Sequence, residues 1–161
     1  MRLGDRVALI AGGAGSMGSA VARLFAQEGA AVCVADRDEE GARETARTIV
    51  DAGGQSMSVA LDVCDAQVWD EAVNATEKTY GRLDLMVNLS GSNVRVGFEE
   101  QTEAMWRSII DVNLTSCFIG IKSVVPAMRR AGRGAILLVN CTVCAKRSGF
   151  GPIQSSIRDP L

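Results

Sequence analysis

The glycine-rich turn at residues 12–18 has the spacing of a phosphate-binding loop. It carries Gly13, Gly15 and Gly18 in the pattern G-x-G-x-x-G, follows an apolar run and precedes a segment with helical periodicity. Backbone N–H groups at such a helix N-terminus have no intrahelical acceptors, and the helix dipole adds positive charge there. The turn therefore predicts a site for a phosphate or pyrophosphate group, with a purely structural turn as the alternative.

Asp36 indicates which kind of phosphate compound the turn accepts. It stands 18 residues after Gly18, at the end of the next apolar run. A carboxylate there accepts hydrogen bonds from ribose hydroxyls and repels a 2′-phosphate. The combination predicts a dinucleotide site that favours NAD. Because Arg37 partly offsets the repulsion, NADP remains the less favoured alternative.

The apolar pattern along the chain predicts the elements that position these residues. Amphipathic segments alternate with short apolar runs, which is typical of a parallel sheet covered on both faces. We therefore predict a three-layer, doubly wound α/β fold of the Rossmann type, with strand order 3-2-1-4-5, ending after the fifth strand. The expected strands are residues 6–10, 31–35, 56–61, 83–88 and 135–140.

Residues 1–142 are expected to form this dinucleotide-binding domain, and residues 143–161 an irregular tail without helical or strand periodicity. One long, mostly apolar helix is expected at residues 103–128. Helical spacing places further apolar side chains on the buried faces of their helices. These are Met17, Leu24, Val50 and Trp106.

Composition narrows the possible functions. The chain has 161 residues, of which 47% are hydrophobic, and this composition is typical of a soluble globular protein. Its net charge of −2 gives no reason to expect nucleic acid or a membrane surface as partner. No uninterrupted apolar run approaches the roughly 20 residues of a spanning helix, and no signal peptide is expected. Five irregularly spaced cysteines favour a reducing, cytoplasmic setting. Histidine is absent from the sequence, which removes the commonest zinc ligand and the commonest general base. No metal site is therefore expected. Cys141 and Cys144 are interpreted as buried or incidental cysteines, not as zinc ligands or a redox pair.

Five segments, in the correct order, resemble the short-chain dehydrogenases/reductases over about residues 5–142. Residues 11–18 resemble the phosphate loop T-G-x-x-x-G-x-G, with Ala11 for Thr and Ser16 for the middle Gly. The other four are Asp62-Val63, which matches the adenine-binding Asp-Val; Asn88-Leu-Ser-Gly91, which matches N-N-A-G; Asn113 in the fourth long helix; and the fifth strand with its end at residues 136–142.

The resemblance implies a cofactor site and part of a catalytic site. Asn113 corresponds to the asparagine that orders a water molecule in the family's proton relay, and Thr142 could supply a hydroxyl near the catalytic serine position. The implied cofactor-binding residues are Gly12, Gly13, Gly15, Ser16, Met17, Gly18, Asp36, Arg37, Asp62, Val63, Asn88, Ser90 and Gly91.

The family's proton donor has no counterpart in these residues. Strict alignment puts Val143 at the catalytic serine position, and no Tyr-x-x-x-Lys occurs. The one tyrosine, Tyr80, falls at the end of the predicted third helix. Losing a general acid/base costs about 10²–10⁴-fold in rate, so this chain is expected to be catalytically impaired. Truncation, a frameshift in the gene and divergence all remain possible origins of the tail.

Three functions are left open. The first is an NAD(P)-dependent oxidoreductase that transfers hydride between the nicotinamide and a small alcohol or carbonyl compound. The second is a non-catalytic dinucleotide-binding fragment or interaction module. The third is a methyltransferase, against which the segments at Asn88 and Asn113 speak. The family resemblance also implies a possible homo-oligomer through the helix at residues 103–128.

Overall fold

A computed structural model describes residues 1–139 and the two short strands at residues 143–145 and 153–154. Five parallel strands form the main sheet in the order β3-β2-β1-β4-β5, which confirms the predicted doubly wound topology. The strands are β1 (Val7–Ala11), β2 (Ala31–Asp36), β3 (Gln55–Ala60), β4 (Leu85–Asn88) and β5 (Ala135–Leu138).

Helices cover both faces of this sheet. They are α1 (Ser16–Gln27), α2 (Glu39–Asp51), α3 (Ala66–Tyr80), α4 (Glu103–Ile110) and α5 (Ser116–Arg130). A short 3-10 turn at Phe98–Glu100 precedes α4, and a π turn at Asp111–Thr115 joins α4 to α5. Two short antiparallel strands, β6 (Val143–Ala145) and β7 (Ile153–Gln154), lie within the segment that we expected to be irregular. The domain boundary at residue 142 stays a prediction.

The alternation of side chains along β1 divides the core into two clusters. Leu9 and Ala11 face α3 and α5, whereas Ile10 faces α1 and α2. Trp69 of α3 is fully buried in the first cluster and donates its indole N–H to the Val63 carbonyl at 3.0 Å. Near-continuous burial of β1 on both faces is the reason its sequence lacks the polar alternation of a surface strand.

Four apolar side chains that we expected in the core are exposed. They are Met17, Leu24, Val50 and Trp106. On α1, the buried positions belong instead to small residues, Gly18 and Ala22, because the helix lies close to the glycine loop. On α4, Ile109 supplies the buried side chain, whereas Trp106 is 48% exposed.

The long helix at Glu103–Arg130 is continuous through the π turn. Among the described residues it is the one helix that is long and apolar enough, by length and mean hydropathy, to cross a membrane. Core helices of soluble proteins meet the same criteria. Val124, Ala127 and Met128 on this helix are buried in the cluster around Trp69, as in a core helix.

A buried ion cluster fastens the amino-terminal edge of the sheet. The Asp84 carboxylate accepts hydrogen bonds from the Val7 backbone N–H at 3.0 Å, from Arg82 and from Arg133. The Arg133 side chain bridges Asp84 and the Asp5 carbonyl, and so joins the loop before β5 to the start of β1.

Candidate dinucleotide site

A cleft of about 370 Å³ opens at the carboxyl edge of the sheet, beside the point where strand order reverses between β1 and β4. In open α/β sheets this crevice is the usual ligand site. Eight of the thirteen predicted cofactor residues line it. They are Gly12, Gly15, Asp36, Arg37, Asp62, Val63, Ser90 and Gly91.

The remaining five lie next to the cleft rather than in its wall. Gly13, Gly18 and Asn88 are buried behind it, and Ser16 and Met17 are exposed at the start of α1. Sequence reasoning missed six lining residues, which stand at unspecified positions within the motifs, in the turns beside them or in the helical turn before α5. These are Ala14, Asp38, Leu61, Leu89, Ser92 and Val112.

Close backbone approaches explain two of the glycines in the loop. Gly12 has φ +78°, and a Cβ there would lie 2.8 Å from the Ser90 nitrogen. A Cβ at Gly18 would lie 1.9 Å from the Gly12 carbonyl oxygen. Both distances are shorter than real Cβ contacts, so these positions require glycine for the loop, α1 and the end of β4 to meet.

The start of α1 presents unpaired backbone donors beside the cleft. Gly15 is the N-cap residue and has no side chain to satisfy them. Ser16, Met17 and Gly18 form the first turn, whose N–H groups have no acceptor within the helix. The first turn of α1 contains no acidic residue. An anion at this end of α1 meets free donors and the positive end of the helix dipole.

Asp36 is fixed in the cleft by backbone donors. Its Oδ2 accepts from the Ala14 N–H at 3.0 Å, and its Oδ1 accepts from the Asp38 N–H at 3.0 Å. Each carboxylate oxygen retains a further lone pair for a ligand hydroxyl. The first bond also couples the carboxylate to the glycine loop, so that the two form one structural unit.

Asp62 and Val63 form a turn on the neighbouring wall. Asp62 Oδ1 accepts from the Cys64 N–H at 2.9 Å, and the Asp62 carbonyl accepts from the Asp65 N–H at 3.1 Å. The Val63 carbonyl is taken by Trp69 in the core. The turn therefore has a fixed shape at the end of the cleft nearest β3.

Asn88 organises the opposite wall at the end of β4. It is fully buried, its Oδ1 accepts from the Ser90 N–H at 3.0 Å, and its Nδ2 donates to Ser116 Oγ at 3.4 Å. Ser90 and Gly91 consequently turn their backbone toward the cleft. Asn88 acts on the shape of the cleft from behind rather than as part of its wall.

Asn113 lies in the π turn and holds the segment after β4. Its Oδ1 accepts from the Ser92 N–H at 2.7 Å, and its Nδ2 donates to the Ser92 carbonyl at 3.0 Å. This two-point contact joins the helix to the wall of the cleft. The resemblance suggested a role in proton transfer; the contacts described here are positional.

Thr142 and Tyr80 are the other residues that bear on catalysis. Thr142 lies outside the described residues. Tyr80 lies at the opposite, amino-terminal edge of the sheet, near Gln55 and Arg82. Burial, together with the smaller effect of the nearby Cys33, raises the pKa of Tyr80 to about 12. A catalytic tyrosine needs a lowered pKa, so both position and environment exclude Tyr80 from the chemistry of this cleft.

Comparison with known proteins agrees with this geometry. A family model described as short chain dehydrogenase matches residues 6–155. The chain belongs to the short-chain dehydrogenase/reductase family. Proteins of this family use nicotinamide dinucleotides.

Individual relatives are similar over most of this chain. It is 38% identical over 142 residues to 2,5-dichloro-2,5-cyclohexadiene-1,4-diol dehydrogenase LinX of Sphingobium indicum, covering 88% of the chain and 57% of the relative. It is 38% identical over 155 residues to trans-4-hydroxycyclohexanecarboxylate dehydrogenase of Sinomonas cyclohexanicum, covering 92% and 59%.

Solved structures give the same picture. A crystal structure of a hydroxysteroid dehydrogenase from Escherichia coli matches with a TM-score of 0.81 at 28% identity, covering 85% of this chain and 58% of that one. The chain thus spans less than two-thirds of the length of the relatives it matches.

Proposed function

We propose that this chain binds a nicotinamide dinucleotide in the cleft at the carboxyl edge of the sheet. The observation that carries the proposal is the coupling of Asp36 to the glycine loop through the Ala14 N–H. Asp36 lies in the wall of the cleft and the first turn of α1 lies beside it, which supports a ribose acceptor and a phosphate site next to each other. In this arrangement Ser16, Met17 and Gly18 would hold the pyrophosphate, and Asp62 and Val63 the adenine end.

NAD is the dinucleotide that these residues favour. The Asp36 carboxylate is fixed in position, and a 2′-phosphate on the adjacent ribose would lie against its negative charge. Arg37 also lines the cleft and moderates this repulsion. NADP is therefore the weaker ligand.

An equilibrium titration with NADH, followed by NADH fluorescence, tests the binding proposal. Saturable binding, with S-adenosylmethionine unable to compete, supports it and excludes the methyltransferase alternative. Absence of binding by NADH and NADPH alike would show that the cleft does not hold a nicotinamide dinucleotide.

The proposed reaction of the family site is hydride transfer between the nicotinamide and a small alcohol or carbonyl compound. The two relatives named above are dehydrogenases of ring-bearing alcohols, which makes a cyclic secondary alcohol a sensible first substrate to assay. The nicotinamide, when bound, supplies or accepts the hydride. The residues described here bind and orient; Asn113 and Asn88 fix the wall of the cleft.

We further propose that these 161 residues alone turn over slowly. They contain no Tyr-x-x-x-Lys, and Tyr80 lies at the wrong edge of the sheet. NADH formation from NAD and a cyclic alcohol should stay at least about 10²-fold below that of a typical dehydrogenase, while NADH binding persists. Turnover at an ordinary rate would refute this; binding without turnover also fits the second candidate, a non-catalytic binding module.

The outer face of the long helix supports self-association. Leu114 and Phe118 are both exposed there, and Phe118 borders a groove between α3 and α5. Sedimentation of the parent chain and of Phe118→Asp would test a homo-oligomer through this face. A dimer that dissociates in the variant is expected; an unchanged distribution would contradict it. We propose a cytoplasmic location, because the five irregularly spaced cysteines favour a reducing compartment.

A further inference from the structure

The π turn between α4 and α5 is held by side chains. The Ser116 N–H donates to the Asp111 carbonyl, five residues earlier. In an α-helix that N–H would pair with the Val112 carbonyl. Here the Val112 carbonyl instead accepts from the Ser116 hydroxyl at 2.6 Å. A serine that bonds to the carbonyl four residues earlier competes with the α-helical ladder and bends the helix.

The neighbouring residue repeats the pattern. Cys117 Sγ donates to the Asn113 carbonyl, four residues earlier, at 3.4 Å. The Asn88 amide reaches Ser116 Oγ at 3.4 Å and Cys117 Sγ at 3.8 Å. Ser116 and Asn88 are fully buried. The end of β4 and the π turn are thus joined through one buried polar cluster.

The π turn decides which way Asn113 faces. One extra residue in a helical turn rotates the preceding residues by about 100° relative to the following ones. Asn113 makes its two-point contact with Ser92 in the π arrangement, and Val112 lines the cleft from the same turn. A return to α-helical bonding would turn both residues away.

We propose that Ser116 is a positioning residue for the dinucleotide cleft. Its hydroxyl occupies the Val112 carbonyl, keeps the Ser116 N–H on Asp111, and so holds Asn113 on the Ser92 backbone. The inference rests on the proposed dinucleotide site and extends it to a residue that does not line the cleft.

Ser116→Ala tests this inference against two controls. Ser108→Ala makes the same change at an exposed position of α4, and Val124→Ala removes two methyl groups from the buried face of α5, away from the cleft. We expect NADH affinity to fall about five- to tenfold in Ser116→Ala, as for one lost hydrogen bond, and to stay within about twofold in both controls. An equal loss in Val124→Ala would mean that lowered stability, not positioning, weakens binding.

Amide hydrogen exchange at Ser92 gives a readout that does not depend on a ligand. In Ser116→Ala, exchange at the Ser92 N–H should accelerate relative to the Leu89 N–H, which donates to the Ala11 carbonyl within the sheet. Ser116→Cys retains a weak donor of similar size and should give an intermediate rate, which keeps the test usable if the alanine variant does not fold.

Two outcomes separate the proposals. Unchanged relative exchange at Ser92 in both Ser116 variants would overturn the inference, whether or not NADH binds. Failure of the parent chain to bind NADH would overturn the proposed function, and exchange at Ser92 would then decide the role of Ser116 by itself.

Discussion

Gly18→Ala should destabilise the chain, although alanine is the better helix former. Gly18 occupies the first turn of α1, where a Cβ would lie 1.9 Å from the Gly12 carbonyl oxygen. Relief requires a movement of about 1 Å, because real Cβ atoms essentially never approach within 3.0 Å. Gly12 has little room to move, since a Cβ built on it would lie 2.8 Å from the Ser90 nitrogen and 2.9 Å from the Leu89 carbonyl carbon.

The size of the effect follows from two opposing contributions. Alanine gains about 1 kcal/mol over glycine in a helix, although less in the first turn. Overpacking of this kind costs about 1–3 kcal/mol and sometimes more, and a clash between two backbone segments belongs at the upper end. We expect a net loss of about 2 kcal/mol in the free energy of unfolding, or a Tm lower by about 4–8 °C.

Gly15→Ala is the matched control, because it makes the same substitution three residues earlier in the same loop. A Cβ at Gly15 meets the Gly12 carbonyl oxygen at 3.4 Å, an ordinary contact, and its backbone angles of −66° and 161° suit alanine. Its cost should stay at about 0.5–1 kcal/mol as a change of N-cap. Urea denaturation followed by circular dichroism measures both variants. Equal stability of the two would refute the close-approach explanation of the loop.

Three further predictions concern charge and ionisation. Asp36→Ala should raise the affinity for NADPH relative to NADH by about tenfold in competitive titrations, because it removes the charge facing the 2′-phosphate; an unchanged ratio would contradict the assigned ribose contact. Asp84→Asn should lower the free energy of unfolding, measured by urea denaturation, by about 2–3 kcal/mol, because Asp84 is buried between two guanidinium groups. The control Glu103→Gln, which breaks an exposed ion pair with Arg107, should cost at most about 0.5 kcal/mol. Burial raises the pKa of Cys33 from 9.0 to about 11, so the folded state disfavours its thiolate. The contribution of Cys33 to the free energy of unfolding is therefore complete below pH 9 and declines as the pH rises toward 11. Cys33→Ala should weaken that decline in urea denaturation measured as a function of pH.

The carboxyl edge of the sheet was predictable because its signals are local. Apolar runs without alternation mark strands that are buried on both faces, and right-handed crossovers limit how such strands can be ordered. The distance from Gly18 to Asp36 is the length of one helix and one strand, so the loop and the carboxylate had to meet at the same edge. The bond from the Ala14 N–H to Asp36 is the contact that this spacing makes possible.

The π turn was not predictable from periodicity. A single extra residue within a long apolar helix leaves its average pattern intact, so periodicity gave no sign that the helical bonding changes at Asn113. The contacts of Asn113 with Ser92, and of Ser116 and Cys117 with Asn88 on β4, join residues that are distant in sequence.

The exposed apolar side chains escaped prediction for a related reason. Helical spacing identifies a face, and large apolar residues such as Met17 and Trp106 were assigned to it. The positions that pack most closely carry small residues instead, Gly18 and Ala22 on α1 and Gly120 on α5. A Cβ at Gly120 would lie 2.8 Å from the Trp69 ring. Which face is buried depends on the neighbouring elements, and these are set by the tertiary fold.

The position of the dinucleotide is the central claim, and amide correlation NMR during a titration with NADH tests it most directly. We predict saturable shifts that are largest at Ser16, Met17 and Gly18, where the first-turn N–H groups of α1 would meet the pyrophosphate. Absence of saturable shifts, or largest shifts at the opposite edge around Gly54 and Tyr80, would contradict the account.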